Sequence, residues 1–431
     1  TNTTGAGNVA LGKDAMDANT TGSNNVAIGI DALNTNTTAS NNVAIGANAM
    51  DANTTGVSNT AVGYISLSAN TTGTDNVAVG KDSLDSNTTG GGNVGIGSDA
   101  LQGNVTGASN VAVGNDALKS NTVSGNVGVG NQALEANTTG PQNTAVGYQA
   151  LYSNTTADKN TALGYTALKM NTGSDNTAVG DRAMKANTSG TRNAALGRLA
   201  LAANTTASYN TAVGDTALLT NTTGVSNTAV GYQALYDLTT GSNNTALGRN
   251  AGVNATGASC TFIGKDAGDN LTTGNHGLYV GQFAVASSAG VNYEMVLSSD
   301  NTNRFGKGAG TAYIAPGGAG AYQYNNSSSW SQTSDERLKK NITDSTIGLA
   351  EINQLQVRNF EYRLSEEIEA PELSEQDAID LEGVQVGVIA QEIELILPKC
   401  VKEESTGVKS VDADNLTWHL IKAVQELSAK V

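Results

Sequence analysis

A fixed internal period governs most of this chain. From Asn2 a unit of the form Asn-Thr-Thr-Gly-x-x-Asn-(Val/Thr)-Ala-(Val/Ile/Leu)-Gly-x-x-Ala-(Leu/Met)-x-x recurs every 17 residues, restarting at Asn19, Asn36, Asn53, Asn70, Asn87, Asn104 and Asn121. Two units lose one residue in the Asn-Thr-Thr-Gly turn. The series continues at Asn137, Asn154, Asn171, Asn187, Asn204 and Asn221, degrades after Leu238 and fades near Asn270, giving fourteen regular coils and about two degenerate ones. A unit this short, with one Gly-bounded apolar run, cannot hold a helix pair; it suits one coil of a parallel β-roll or β-helix. At ~4.8 Å per coil, sixteen coils predict a rod roughly 75 Å long.

Two apolar columns recur. One precedes the repeated Gly (Leu11, Ile28, Ile45, onward to Ile263), and the other runs Met16, Leu33, Met50, Leu67, onward to Leu235. Together they predict a narrow two-sided core. The Gly column (Gly12, Gly29, Gly46, onward to Gly264) marks a sharp turn, and the Ala beside it permits close backbone approach, suiting a seam between protomers. These coils resemble the Asn-x-Val-Ala-Ile-Gly repeats of trimeric autotransporter adhesin heads and related phage fibres. The resemblance covers residues 2 to 270, with a different coil length, and implies a trimer of β-rolls.

Composition agrees with a thin core. Among 431 residues there are 51 Gly but only 4 % aromatics, too few large side chains for a bulky globule. The formal net charge of −16 argues against nucleic acid as a partner, because phosphate binding draws on clustered Lys and Arg. Cys260 and Cys400 lie far apart, so neither a disulfide framework nor a zinc site is signalled, and no metal or other cofactor is expected. No apolar run approaches the ~20 residues that span a bilayer, so no membrane insertion is expected. The sequence opens at Thr1 inside a repeat, as a fragment of a longer chain would.

Residues 271–333 leave the repeat in short alternating runs such as Gly277-Leu-Tyr-Val-Gly281, and read as an irregular β neck or tip. After Ser334 the composition shifts to Lys, Glu, Ile and Leu with helical periodicity, so a separate domain is expected over 334–431. At the boundary stands Trp330-Ser-Gln-Thr-Ser334-Asp335-Glu336-Arg337-Leu338-Lys339-Lys340-Asn341-Ile342. It is followed by Gly348-Leu-Ala-Glu-Ile-Asn-Gln-Leu355, Phe360-Glu-Tyr362, Gly387-Val-Ile-Ala-Gln-Glu-Ile393, Leu397-Pro398 and Lys409-Ser-Val-Asp412.

These ordered motifs resemble the endosialidase-type intramolecular chaperone domain over essentially all of 334–431. The resemblance implies cleavage of the Thr333–Ser334 bond, with Ser334 as nucleophile and Lys339, five positions on, as base. The chemistry is self-consistent: a serine hydroxyl needs a neighbouring base, and a lysine can be that base only as the neutral amine. Lys339 must then be desolvated or set near other cations, a field Arg337 and Lys340 could supply. Lys340 is the alternative base, and Asp335 reads as a turn cap or a catalytic accessory. The only histidines, His276 and His419, offer no Ser-His pairing.

The C-terminal segment places Leu416, Leu420, Val424, Leu427 and Val431 at helical spacing, a stripe that could gather three chains or pack within its own domain. In the shaft, Tyr148, Tyr152, Tyr165, Tyr232 and Tyr236 could stack on sugar rings or pack between protomers. Asp14, Asp31, Asp82, Asp99 and Asp116 share one turn position; interruptions at Asn48, Ile65, Gln132 and Gln149 favour solvated turns over a cation ladder.

The expected class is mainly β: a parallel β-solenoid shaft, trimeric, followed by a C-terminal α+β chaperone domain ending in a helix. The expected function is a virion tail fibre that binds a host cell-surface receptor, a glycan by preference, and whose only chemistry is one autoproteolytic event. The alternatives are a bacterial trimeric surface adhesin, which needs a membrane anchor, and a glycan depolymerase tailspike, which needs an acidic pair in a groove.

Overall fold

A computed structural model describes residues 2–299, 302–315, 320–323, 330–332, 334–364, 367–368, 382–403 and 408–431. The chain divides into two compact units, Thr1–Thr333 and Ser334–Val431.

In the first unit each repeat folds as one coil carrying a three-residue strand, and equivalent strands pair in parallel at one-repeat register, as in Ala27↔Ala44 and Ala44↔Ala61. They form a 21-stranded sheet in which only the last two strands, Ala321–Gln323 and Trp330–Gln332, are antiparallel. Where a repeat is one residue short, the strands still pair in register, Val111↔Val127 and Thr161↔Thr177. The deletion is absorbed in the turn.

The turn chemistry explains the period. Each regular coil holds several non-glycine residues in the left-handed region, for example Asn24 (φ 58°), Asp31 (φ 54°) and Leu33 (φ 53°). The Asp column thus lies at left-handed turn positions, which Asp and Asn tolerate best. The Gly column is required twice over. Gly29 has φ 137°, and a Cβ there would lie 2.5 Å from the carbonyl oxygen of Gly46 on the next coil.

The core differs from the two-column expectation. The Leu/Met column is fully buried from Leu33 onward, but its partner is the strand-centre alanine (Ala27, Ala44, Ala61 and their equivalents). The aliphatic column before the Gly points outward: Leu163 is 47 % and Leu196 51 % exposed. Side chains alternate across a strand, so the residues flanking a buried centre must face away from it. The alanine therefore fills its own coil's core and is not a seam between protomers.

Much of the remaining interior is asparagine. Asn36 Nδ2 donates to Asn19 Oδ1 at 2.9 Å and to the Ala39 carbonyl at 3.0 Å. In a second ladder the Asn42 backbone N–H donates to Asn25 Oδ1 at 2.9 Å, while Asn25 Nδ2 donates to Ala39. Buried amides of this kind are tolerated because they are paired.

The repeat signal ends the shaft near Asn270, yet Leu278–Val280, Met295–Ser298 and Ala312–Ala315 continue the parallel ladder, so this part of the expected neck is further coil. The signature is lost because the core changes hands. Phe262 and Tyr279 replace the strand-centre alanine and stack at 5.7 Å, while Gly252 and Gly268 stand where a Cβ would meet the Phe262 ring. Large replaces small on one wall and small replaces large on the other, conserving volume. Beyond them the buried Glu294 accepts from Tyr279 Oη (3.2 Å), Ser287 N (2.9 Å) and Gly308 N (2.7 Å). Burial, with the Glu294 charge beside it, drives the Tyr279 phenol well above its ordinary range.

The second unit is a small α+β body. Helix α1 (Leu349–Ile352) precedes the antiparallel pair Arg358–Phe360 and Gln385–Gly387. Helix α2 (Ala390–Ile396), the pair Val401–Glu403 and Lys409–Val411, and helix α3 (Ala413–Ser428) follow. Its core is Ile393, Leu397 and Cys400, with Ile347, Ile352, Leu355, Val388 and Leu416 packed around them. Cys260 and Cys400 are both free and buried.

Candidate functional site

The second unit opens with a single 3-10 turn, Glu336–Leu338. Asp335 caps it, its carboxylate accepting from the Arg337 N–H at 2.9 Å, and the Lys339 N–H closes the turn on the Glu336 carbonyl at 2.9 Å. With three residues per turn, this folds position five back over position zero. The result is direct: Lys339 Nζ donates to Ser334 Oγ at 2.7 Å. Asn341, at φ 54°, then bends the chain away.

Arg337 is committed elsewhere. Its guanidinium holds the Asp335 carboxylate, with Nε to Oδ1 at 2.9 Å, and these hydrogen bonds hold the Asp335 carboxyl below the usual carboxylate range while raising the guanidinium's own pKa. The arginine expected to support Lys339 is thus already paired with Asp335. Lys340 and Lys339 are both exposed. Thr333 lies outside the described residues.

The α3 stripe divides. Leu416 packs into the unit's own core. Leu420, Val424 and Leu427 are exposed, together with Trp418 and Ile421. Asp412 caps the helix by accepting from Asn415 N at 3.1 Å, and its carboxyl is held low chiefly by Lys402.

The tyrosines separate into two places, because one column spans many coils. Tyr148 and Tyr165 stack at 5.3 Å on adjacent coils, and Tyr152 lies in the neighbouring column with Lys169 Nζ 5.7 Å from its ring centre. Tyr232 and Tyr236 sit four coils beyond Tyr165, on the order of 19 Å away at strand spacing. A groove of about 480 Å³ lies beside the first group, lined by Tyr165, Thr166, Lys169, Met170, Arg182 and Lys185. The three cations are marked in the sequence only by a change of charge sign within a repeat column. Among the described residues no group of three or more His, Cys, Asp or Glu side chains could hold a metal ion.

Residues 334–402 match the family model of the chaperone of endosialidase. The match begins at Ser334, the first residue of the second unit, and stops before the strand Lys409–Val411 and α3. No curated protein matches the chain. A parallel β-solenoid followed by a chaperone of endosialidase domain defines a fibre-like protein with a C-terminal intramolecular chaperone. That combination fits a tail fibre or tailspike, and the family implies a chaperone that cuts itself free.

Proposed function

We propose that this chain is a homotrimeric tail fibre of a virion, which attaches to a host surface receptor, and that its C-terminal unit assembles three chains and then leaves by cutting before Ser334. The observation that carries the reading is the 2.7 Å contact between Lys339 Nζ and Ser334 Oγ at the first residue of the matched family region. In the step proposed, neutral Lys339 takes the Ser334 hydroxyl proton, and the oxygen attacks the Thr333 carbonyl carbon. The C–N bond to Ser334 breaks as its nitrogen takes the proton back from Lys339, leaving a Thr333 ester on Ser334 Oγ. One water hydrolyses that ester, giving a Thr333 carboxylate, a free Ser334 amine and the restored hydroxyl.

Trimerisation rests on unpartnered apolar surface. Leu11, Ile45, Ile96, Leu163, Leu196, Leu247 and Ile263 are exposed along one sheet face, and a stripe of that length is more apolar surface than a monomer ordinarily leaves to water. Two further copies would cover it, each strand face meeting the same register on its neighbours. Enclosure by neighbouring chains would also exclude water from the Ser334–Lys339 pair, tying cleavage to assembly.

Denaturing mass measurement of wild type, Ser334→Ala and Lys339→Arg tests the chemistry. Wild type should separate into 1–333 and 334–431, and both variants should stay whole. Arginine keeps the charge and cannot serve as a neutral base. Cleavage surviving Lys339→Arg would sink the dyad.

A further inference from the structure

One edge of the shaft reverses its charge. Two adjacent columns follow each Gly turn. In the early coils they carry Asp14, Asp31, Asp51, Asp82, Asp85, Asp99, Asp116 and Glu135, with Lys119 paired to Asp99 and Asp116; in the two coils after Tyr152 they carry Lys169, Arg182 and Lys185 and no acid, and acids return at Asp266 and Asp269. The reversal falls on the groove of about 480 Å³ described above, within the range of small-ligand sites. Tyr165, 52 % exposed and held flat by its stack on Tyr148, forms one wall. Lys169 and Lys185 stand one coil apart in one column. Among the described residues neither has a carboxylate within ion-pair distance, and Arg182 is held only loosely by Asp181, Nε to Oδ1 at 3.4 Å.

An exposed, rigid aromatic face beside two lysines that hold no carboxylate has a definite complement. The C–H face of a pyranose ring packs on tyrosine, and an anionic substituent on that ring takes charge-assisted hydrogen bonds from the lysines. The rest of the chain supplies contrast: at net −16 it repels polyanions, so an acidic chain is steered toward these two coils, where the sign of the edge is reversed. We propose that the Tyr165–Lys169–Arg182–Lys185 groove binds an acidic saccharide, a carboxylate- or phosphate-bearing sugar of a cell-surface polysaccharide. This rests on the receptor-binding reading above and names the ligand class and the coils that take it. Tyr232 lies outside the groove, and Tyr64, exposed in the same column among the acidic coils, has as its neighbouring cation Lys81, which Asp82 holds at 3.1 Å.

The test uses the full chain and calorimetric titration with three probes: oligogalacturonate for the carboxylate source, a phosphorylated core oligosaccharide for the phosphate source, and neutral maltohexaose. One acidic probe should bind, more weakly as salt is raised, and at least tenfold less tightly in Tyr165→Ala and in Lys185→Glu. Tyr64→Ala should bind as wild type, and thermal unfolding of all three variants should be unchanged. Neutral and acidic probes binding alike, acidic binding that survives both groove variants, or no binding of either acidic probe would overturn the assignment. Adsorption of the labelled chain to a panel of bacterial strains separates the two levels. Adsorption indifferent to the groove variants overturns the groove and leaves the receptor reading standing; groove binding of an acidic probe without adsorption does the reverse.

Discussion

At the residue scale the asparagine ladders explain where the repeat tolerates change. In a regular coil the Asn side chain reaches the carbonyl three residues on, as Asn87 does to Gly90 at 3.0 Å. In the shortened coils it reaches only two on, Asn121 to Val123 and Asn171 to Gly173, both at 2.7 Å. Each shortening withdraws a donor from the coil before it, and the Oδ1 atoms of Asn104 and Asn154 are left buried without a partner. Asn221 Oδ1 is orphaned as well, where Leu238 replaces the next asparagine. Mid-ladder, Asn70 donates to Asn53 Oδ1 and to Gly73 O, and accepts from Asn87. Removing it strands Asn53 Oδ1 and one Asn87 amide hydrogen, while the Gly73 carbonyl keeps its bond from Asn59 Nδ2 at 2.8 Å, so Asn70→Ala should cost about 2–3 kcal/mol, read as a lowered unfolding midpoint, because a buried polar group left without a partner is not repaid for its desolvation. A cost near zero would mean that the ladder is decoration.

At the scale of the element, the acidic edge of the shaft sets a pH response. Burial, aided by Asp31 and Asp82, raises the Asp51 and Asp85 carboxyls above their ordinary 3.8, and burial with Asp116 raises Glu135 above 4.5. A carboxyl whose folded pKa exceeds its unfolded one holds its proton more tightly in the fold. Its stabilising share is therefore complete below the unfolded value and lost as pH rises through the folded one. Acidification that reaches the carboxylate range should recover the part of the unfolding temperature these three groups cost at neutral pH, and Asp51→Asn should raise it at pH 7 while flattening its pH dependence. An Asp51→Asn shaft no more stable than wild type at pH 7 would contradict the burial argument. The coil period, the Gly turns and the Leu column were plain, because a solenoid repeats one set of contacts. Which face of the strand is inner was not, since Val-Ala-Ile presents its larger side chains outward and hydrophobicity alone assigns them inward. The coils at Leu278, Met295 and Ala312 were hidden because Phe262, Tyr279 and Tyr313 substitute for alanine by complementary changes in other columns.

For the whole molecule, the Ser334–Lys339 pair was legible only through the ordered motifs around it, since an isolated serine and lysine five apart carry no signal of their own. What the sequence concealed was Arg337's engagement by Asp335 and the openness of the pair to solvent. In the cleavage proposed above, desolvation of Lys339 falls to neighbouring copies. The same proposal has neighbouring copies cover the exposed sheet-face aliphatics and the exposed Leu420, Val424 and Leu427 of α3. Parallel pairing between residues a full coil apart, repeated along the shaft, leaves register to be set by something other than local contacts, and such folding is slow and prone to aggregation. A unit that first gathers three chains and then departs leaves a rod that is kinetically trapped. The most direct test is native mass of the full chain beside Ser334→Ala. The account predicts a wild-type trimer of residues 1–333, with 334–431 released, and a trimer of whole chains for the variant. A whole, monomeric wild type would contradict both the assembly and the cleavage.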